Sequence, residues 1–278
     1  MKKTIISFIA LFTLLSVSSC GGEKKKEETA PAKALNISVY LDLSDRLVRP
    51  LTPDQTYRDT AIVNYLIDYF RTETLGPTIL KSENKMKVFF YPSPNDSQIS
   101  MLAQGLNVDI GAKKGVEKRK ALDEMKEVFQ RNLTQIYNQT LQQQDWVGCD
   151  IWDFFSNKKV DNLCVKSGAR NIIVILTDGY IYYDNNKIQE GNAYSYILPQ
   201  TLAIEGSSLI DRRNGELKGK GLEVLMLEVN PYQPSHSQKM QSVLEDWFRA
   251  MGVEKFVVAE TDANLTNTQT IIKNFLDN

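Results

Sequence analysis

Histidine is almost missing from this chain: His236 is the only one in 278 residues. That scarcity argues against histidine-rich metal sites and against Ser-His-Asp catalysis, since both need imidazoles in numbers or at matched positions. Cysteine is nearly as scarce, at three residues, which excludes a disulfide-stapled miniature fold and a zinc-finger array. An excess of positive charge is also lacking, with 33 Lys+Arg against 34 Asp+Glu. A nucleic-acid-binding surface needs a basic stripe, so no nucleic-acid partner is expected. Apolar runs of membrane-spanning length are absent too, and the longest run, "TIISFIALFTLLSV", covers only residues 4–17.

That run has the layout of an export signal. Lys2 and Lys3 precede it, and the small residues of "VSSC" follow it and end on Cys20. The cysteine after small residues resembles the bacterial lipobox. The resemblance implies removal of residues 1–19, a diacylglyceryl thioether on Cys20 and attachment to a membrane through acyl chains. Gly21 stands where enteric-type sorting places an inner-membrane aspartate, so a lipid anchor in the outer membrane of the cell envelope is expected. Residues 20–35 are charged, small and without apolar period, which reads as a flexible tether. Without residues 1–19 and their two lysines, the formal charge is about −3. Cys149 and Cys164 then remain. The exported compartment permits a bridge between them, and the sequence leaves both the bridged and the free forms open.

Residues 36–278 are long enough for one sizeable domain. Near-continuous apolar runs of strand length recur: "ISVYL" at 37–41, "KVFFY" at 87–91, "IIVIL" at 172–176, "LEVLMLEV" at 222–229 and "KFVVA" at 255–259. Such runs fit strands covered on both faces. Helical periodicity separates them, over 56–72, 115–143, from "GCDIWDFFSN", over 235–252 with Gly252 as a stop, and at the C-terminus. The alternation predicts a three-layer α/β/α fold, a doubly wound and mostly parallel sheet with helices on both faces. Residues 92–112 carry turn signals and then a short edge strand. Residues 180–220 read as long loops above the sheet.

Two strands end in dense polar clusters: "VYLDLSDR" supplies Asp42, Ser44, Asp45 and Arg46, and "IVILTDGY" supplies Thr177, Asp178, Gly179 and Tyr180. In an open parallel sheet, ligands bind beyond the carboxyl ends of the strands at the switch point. If the two strands are neighbours there, Asp42 and Asp178 converge, and their repulsion needs a cation or a shared proton. Oxygen donors without histidine suit Mg²⁺, Mn²⁺ or Ca²⁺. The competing reading is local, because Asp and Ser cap helices and Asp-Gly makes turns.

These segments, with "GCDIWDFF" between them, resemble the von Willebrand factor type A domain and its metal-ion-dependent adhesion site. The resemblance places Asp42, Ser44 and Asp178 as metal ligands, with Thr177-Asp178-Gly179 the closest local match. Two positions depart from the pattern. Arg46 occupies the second serine position and Cys149 the threonine position, and a thiol is a poor ligand for a hard divalent ion. Either Arg46 replaces the metal as the compensating cation, or Asp45 or Asp150 supplies the missing oxygen. The resemblance implies a non-enzymatic envelope lipoprotein that binds a protein partner through this crevice, Arg46, Cys149, Thr177, Gly179 and Tyr180 being candidate contacts. The alternatives are a divalent-metal-dependent hydrolase using Asp42, Asp45 and Asp178, and a structural subunit with a vestigial site.

Overall fold

Eight residues of β1, Ala34–Leu41, alternate between two apolar layers, and this alternation organises the fold. Leu35, Ile37, Val39 and Leu41 face one hydrophobic cluster, while Tyr40 faces a second. The same period of two sorts β4 (Ala169–Leu176) and β7 (Leu222–Val229): Ile172, Val174 and Leu176 on one side, Ile173 and Ile175 on the other. A strand apolar on both faces is stable only between two covering layers.

In this computed structural model the described residues are 33–76, 79–144, 146, 148–180, 215–278 and, as strands, 187–190 and 193–196. Residues 33–278 form one compact unit. The first layer packs α1 (Gln55–Thr74), α3 (Val116–Gln143) and α7 (Leu265–Asp277) against the sheet. The second packs α4 (Ile151–Ser156), α5 (Lys159–Cys164) and α6 (Ser237–Met251). There Trp247 is buried against Phe155 and Phe248 in edge-to-face and stacked ring contacts respectively. Gly252 ends α6 at φ +82, the left-handed conformation glycine adopts without a Cβ penalty.

The sheet has the order β3-β2-β1-β4-β7-β8, with β2 at Lys85–Phe89, β3 at Asn107–Asp109 and β8 at Lys255–Glu260. All neighbours pair in parallel except β3, which runs antiparallel to β2 at the edge. The α/β class and the mostly parallel sheet agree with the sequence expectation. Two details differ from it, and one that the sequence left open, the state of the two cysteines, is decided. Residues 97–104 are a helix, α2, because Asp96 caps it by accepting from Gln98 N and Ile99 N, so the edge strand shrinks to Asn107–Asp109. Within 180–220, an antiparallel pair β5 (Lys187–Glu190) and β6 (Ala193–Tyr196) occurs where only loop was expected. Cys149 and Cys164 are free thiols. Cys164 lies beside Ser38 and Cys149 beside Tyr40, two residues apart on one face of β1, a step of about 7 Å along the strand. The signal sequence, Cys20 and residues 20–32 of the tether lie outside the described residues, and the end of the expected tether is corrected, since Ala34 and Leu35 already pair with β4 as the start of β1. Among the described residues no helix is long and apolar enough to cross a membrane.

β1 leads to β2 on one side, whereas β4 pairs on its other side, so the chain changes direction across the sheet between β1 and β4. The two polar strand ends therefore meet at the switch point.

Candidate functional site: a charge-compensated crevice

Register fixes the geometry first. Leu41 is paired with Leu176, and Asp42 N donates to Leu176 O at 3.1 Å, so residues 42 and 177 leave the sheet side by side. Thr177 Oγ1 donates to Asp42 Oδ2 at 2.8 Å, and Ser44 N donates to Asp42 Oδ1 at 2.8 Å. Both oxygens of the first carboxylate are thus engaged within the protein. Ser44 caps the short 3-10 turn Asp45–Val48, its Oγ accepting from Arg46 N at 3.4 Å, which is the local role that competed with metal binding.

Asp178 is 5% exposed, and its Oδ1 accepts from Tyr180 N at 3.1 Å. Its other oxygen lies 2.7 Å from Arg49 Nη2. Burial, with the Asp42 charge adding, pushes the Asp178 carboxyl up to about 7, and Arg49 offsets only part of that rise. Gly179 has φ +92, and a Cβ there would sit 2.7 Å from Met240 Sδ, so the Asp-Gly turn needs glycine on two counts.

Arg46 was expected to face Asp42 or Asp178, and it takes the first of these and then turns inward. Its Nε donates to Asp42 O at 3.0 Å and lies 3.7 Å from Asp42 Oδ2. Its two terminal nitrogens clasp Asp59 of α1, Nη1 to Oδ1 at 3.3 Å and Nη2 to Oδ2 at 2.6 Å. Burial alone would lower the Arg46 pKa, but the charges of Asp59 and Asp42 outweigh it and hold the group protonated. Asp59 also accepts from Gln55 Nε2 at 3.0 Å and Tyr137 OH at 3.0 Å. Gln55 continues to Glu228, which Arg58 clasps at 2.6 and 2.9 Å. Glu228 reaches this layer because β7 shifts register between Met226 and Val229 and residue 228 takes φ +67. A fully buried ionic floor therefore lies under the crevice.

Arg49, Gln55, Arg58, Asp59, Tyr137 and Glu228 are all missing from the sequence-derived site. The first turn of α1, "QTYRDT", offered one signal: Gln55, Arg58 and Asp59 share a helical face with the apolar Ile62 and Leu66. Polar groups on an apolar face announce buried partners.

Asp45 is exposed, and Tyr232 OH donates to its Oδ2 at 3.3 Å. Asp150 Oδ1 accepts from Asp153 N at 2.9 Å and caps α4. Cys149 is buried beside Tyr40, and burial pushes its thiol well up, so it carries no thiolate. Leu43 and Gly148 form an isolated antiparallel bridge that brings the Cys149 segment to this edge.

These donors, as arranged, do not fit a resident divalent cation. Each Asp42 oxygen accepts a hydrogen bond, from Ser44 or Thr177, Asp178 is ion-paired, Cys149 is a neutral thiol and two guanidinium groups lie within 4 Å of the carboxylates. Among the described residues no group of three or more His, Cys, Asp or Glu gathers at ligating distance. The arrangement is a carboxylate pair compensated by Arg46 and Arg49.

At the mouth, Arg49 lies flat on Tyr232, its guanidinium carbon 3.4 Å from the ring centroid, with Tyr180 at 5.7 Å. Arg49 Nη1 also donates to Asn230 O at 2.7 Å. Val48, Tyr57 and Tyr232 stand exposed around this edge, at 52%, 59% and 63%.

No family model matches the chain, and no curated protein matches it. Among solved structures it is similar to an aerotolerance-related membrane protein from Bacteroides fragilis NCTC 9343, determined with multiple mutations to serines. The TM-score is 0.41 at 12% identity, covering 88% of this chain and 99% of that one. It is also similar to the conserved hypothetical protein BatB from Bacteroides thetaiotaomicron, with a TM-score of 0.42 at 12% identity over 88% of this chain and 100% of that one.

Proposed function

We propose that this protein is a non-enzymatic, lipid-anchored envelope protein whose switch-point crevice binds a protein partner without a bound metal. The observation that carries the reading is the composition and exposure of the crevice mouth. Arg49 is held flat by Tyr232 and Asp178, and Tyr57, Val48 and Tyr232 offer apolar surface around it. Arginine and tyrosine on a rigid support are the residues that anchor interfaces, because they bring large contact area with little rotamer entropy left to lose. The fixed guanidinium suits a carboxylate or carbonyl of the partner, with the tyrosine rings closing over it. The hydrolase alternative draws less support from this arrangement, in which both Asp42 oxygens already accept hydrogen bonds and Asp45 accepts from Tyr232.

The test is site-specific photo-cross-linking in the native envelope. A benzophenone side chain at position 232 or 57 is expected to give one discrete adduct, which Arg49→Ala reduces at least tenfold. A probe at Met101, exposed on α2 on a different element, is expected to give none. Equal labelling from position 101, or an adduct indifferent to Arg49, refutes the crevice as the binding site.

A further inference from the structure

We infer that the opposite edge of the sheet, around Leu80, Val116, Lys81, Lys113 and Lys114, rests on the anionic surface of the bilayer to which Cys20 is attached. This inference rests on the lipoprotein reading of Cys20. Three segments meet at the edge where the parallel strands begin. β1 starts at Ala34, the stretch 79–84 leads into β2, and residues 110–116 join the end of the antiparallel β3 to α3. Asn84 ties them together: its Oδ1 accepts from Leu35 N at 2.8 Å, and its backbone oxygen accepts from Ile110 N at 2.9 Å. Lys118 Nζ then clamps the first turn of α3 to Leu80 O and Ser82 O, at 3.0 and 2.8 Å. The two segments therefore form one rigid surface beside the point where the chain enters the domain.

On that surface Val116 is 86% exposed and Leu80 is 67% exposed, the two highest values among the large hydrophobic side chains described. Lys81, Lys113 and Lys114 beside them have no ion pair with any described residue. The acids of the edge are mostly engaged, Glu83 with Lys166 at 3.1 Å and Asp109 with Lys85 at 3.5 Å, while Glu117 is exposed. Two bare apolar side chains framed by uncommitted lysines complement a membrane interface, where apolar tips enter the headgroup layer and ammonium groups meet lipid phosphates.

Chain length selects this occupant. Only residues 20–32 separate the lipidated cysteine from Lys33, and thirteen residues reach at most about 45 Å. Over such a span the effective concentration of the bilayer surface is about millimolar, so weak contacts suffice. Each lysine near an anionic surface is worth about a fivefold gain in partition, and three together about a hundredfold. The eight-residue strands place the crevice about 26 Å further out, facing away from the lipid.

The test uses the full processed, lipidated protein in vesicles of phosphatidylcholine with about one third phosphatidylglycerol. An environment-sensitive fluorophore at Val116→Cys is expected to shift to the blue and to be quenched by nitroxide lipids. The same fluorophore at Tyr232→Cys is expected to respond to neither. Quenching at position 116 should vanish in about 1 M salt, where screening acts within about 3 Å, and in K81E/K113E/K114E. That variant changes only exposed, unpaired side chains and keeps the wild-type circular dichroism. Protein that floats with the vesicles but shows no quenching at position 116 overturns this inference and leaves the lipoprotein reading intact. Absence of the acyl mass on Cys20 overturns both.

Discussion

The buried pair Arg46–Asp59 offers the sharpest test of how the crevice is held. Asp59 has no exposed surface and accepts four hydrogen bonds, two from Arg46, one from Gln55 and one from Tyr137. Asp59→Asn keeps the shape and removes the charge. Arg46, only 2% exposed, then has the Asp42 carboxylate at 3.7 Å as its nearest counter-charge. Leaving a buried charge uncompensated costs about 3–5 kcal/mol, whereas an apolar pair of similar volume is close to neutral. Asp59→Asn is therefore expected to destabilise the domain by about 3–5 kcal/mol, or roughly 6–20 °C in Tm at this size. Arg46→Met with Asp59→Leu should recover most of that loss. Urea unfolding of wild type, both single variants and the double variant gives the coupling energy directly. If Asp59→Asn costs less than about 1 kcal/mol, or if the two single losses simply add, the pair does not organise the crevice.

A second expectation concerns pH. Asp178 is raised above its unfolded value of 3.8 to about 7, so the folded state binds the proton more tightly. Its contribution is present below about pH 4 and is lost as pH rises towards 7, by up to about 4 kcal/mol. Asp178→Asn should remove that decline, and parallel wild-type and variant stability profiles between pH 4 and 8 would contradict it. Gly179→Ala combines a left-handed φ of +92 with a Cβ 2.7 Å from Met240 Sδ and 2.9 Å from Val229 Cγ1. It should cost about 2 kcal/mol or more in urea unfolding. Calorimetric titration with Mg²⁺, Mn²⁺ and Ca²⁺ is expected to give no saturable heat in wild type. Arg49→Met, which frees Asp178, is the variant in which weak binding would first appear. Saturable heat in wild type that Asp178→Ala abolishes would restore the metal-dependent reading.

Single residues show where sequence reasoning reached and where it stopped. Ile172 to Leu176 announce a strand buried on both faces because each side chain is apolar, and such a strand has few stable surroundings. Asp42 and Asp178 were legible as a pair because parallel strands end on the same edge, and a crevice there follows from topology alone. Their compensation was not legible. Arg46 and Arg49 are three residues apart in the same turn, and nothing in "SDRLVRP" tells which guanidinium faces Asp178. The backbone of the 3-10 turn decides, sending Arg46 inward to Asp59 and Arg49 outward to Asp178.

The sequence by itself determined the alternation of strands and helices, the apolar strand cores and the polar strand ends, because these depend on side-chain chemistry and short-range period. Tertiary structure alone decided which charges meet. Glu228 reaches Arg58 across 170 positions only because a bulge turns its side chain into the α1 layer, and the Cys149 and Cys164 thiols stay apart because they sit at different heights on β1. Charge pairing acts over a few ångströms in space and carries no mark along the chain.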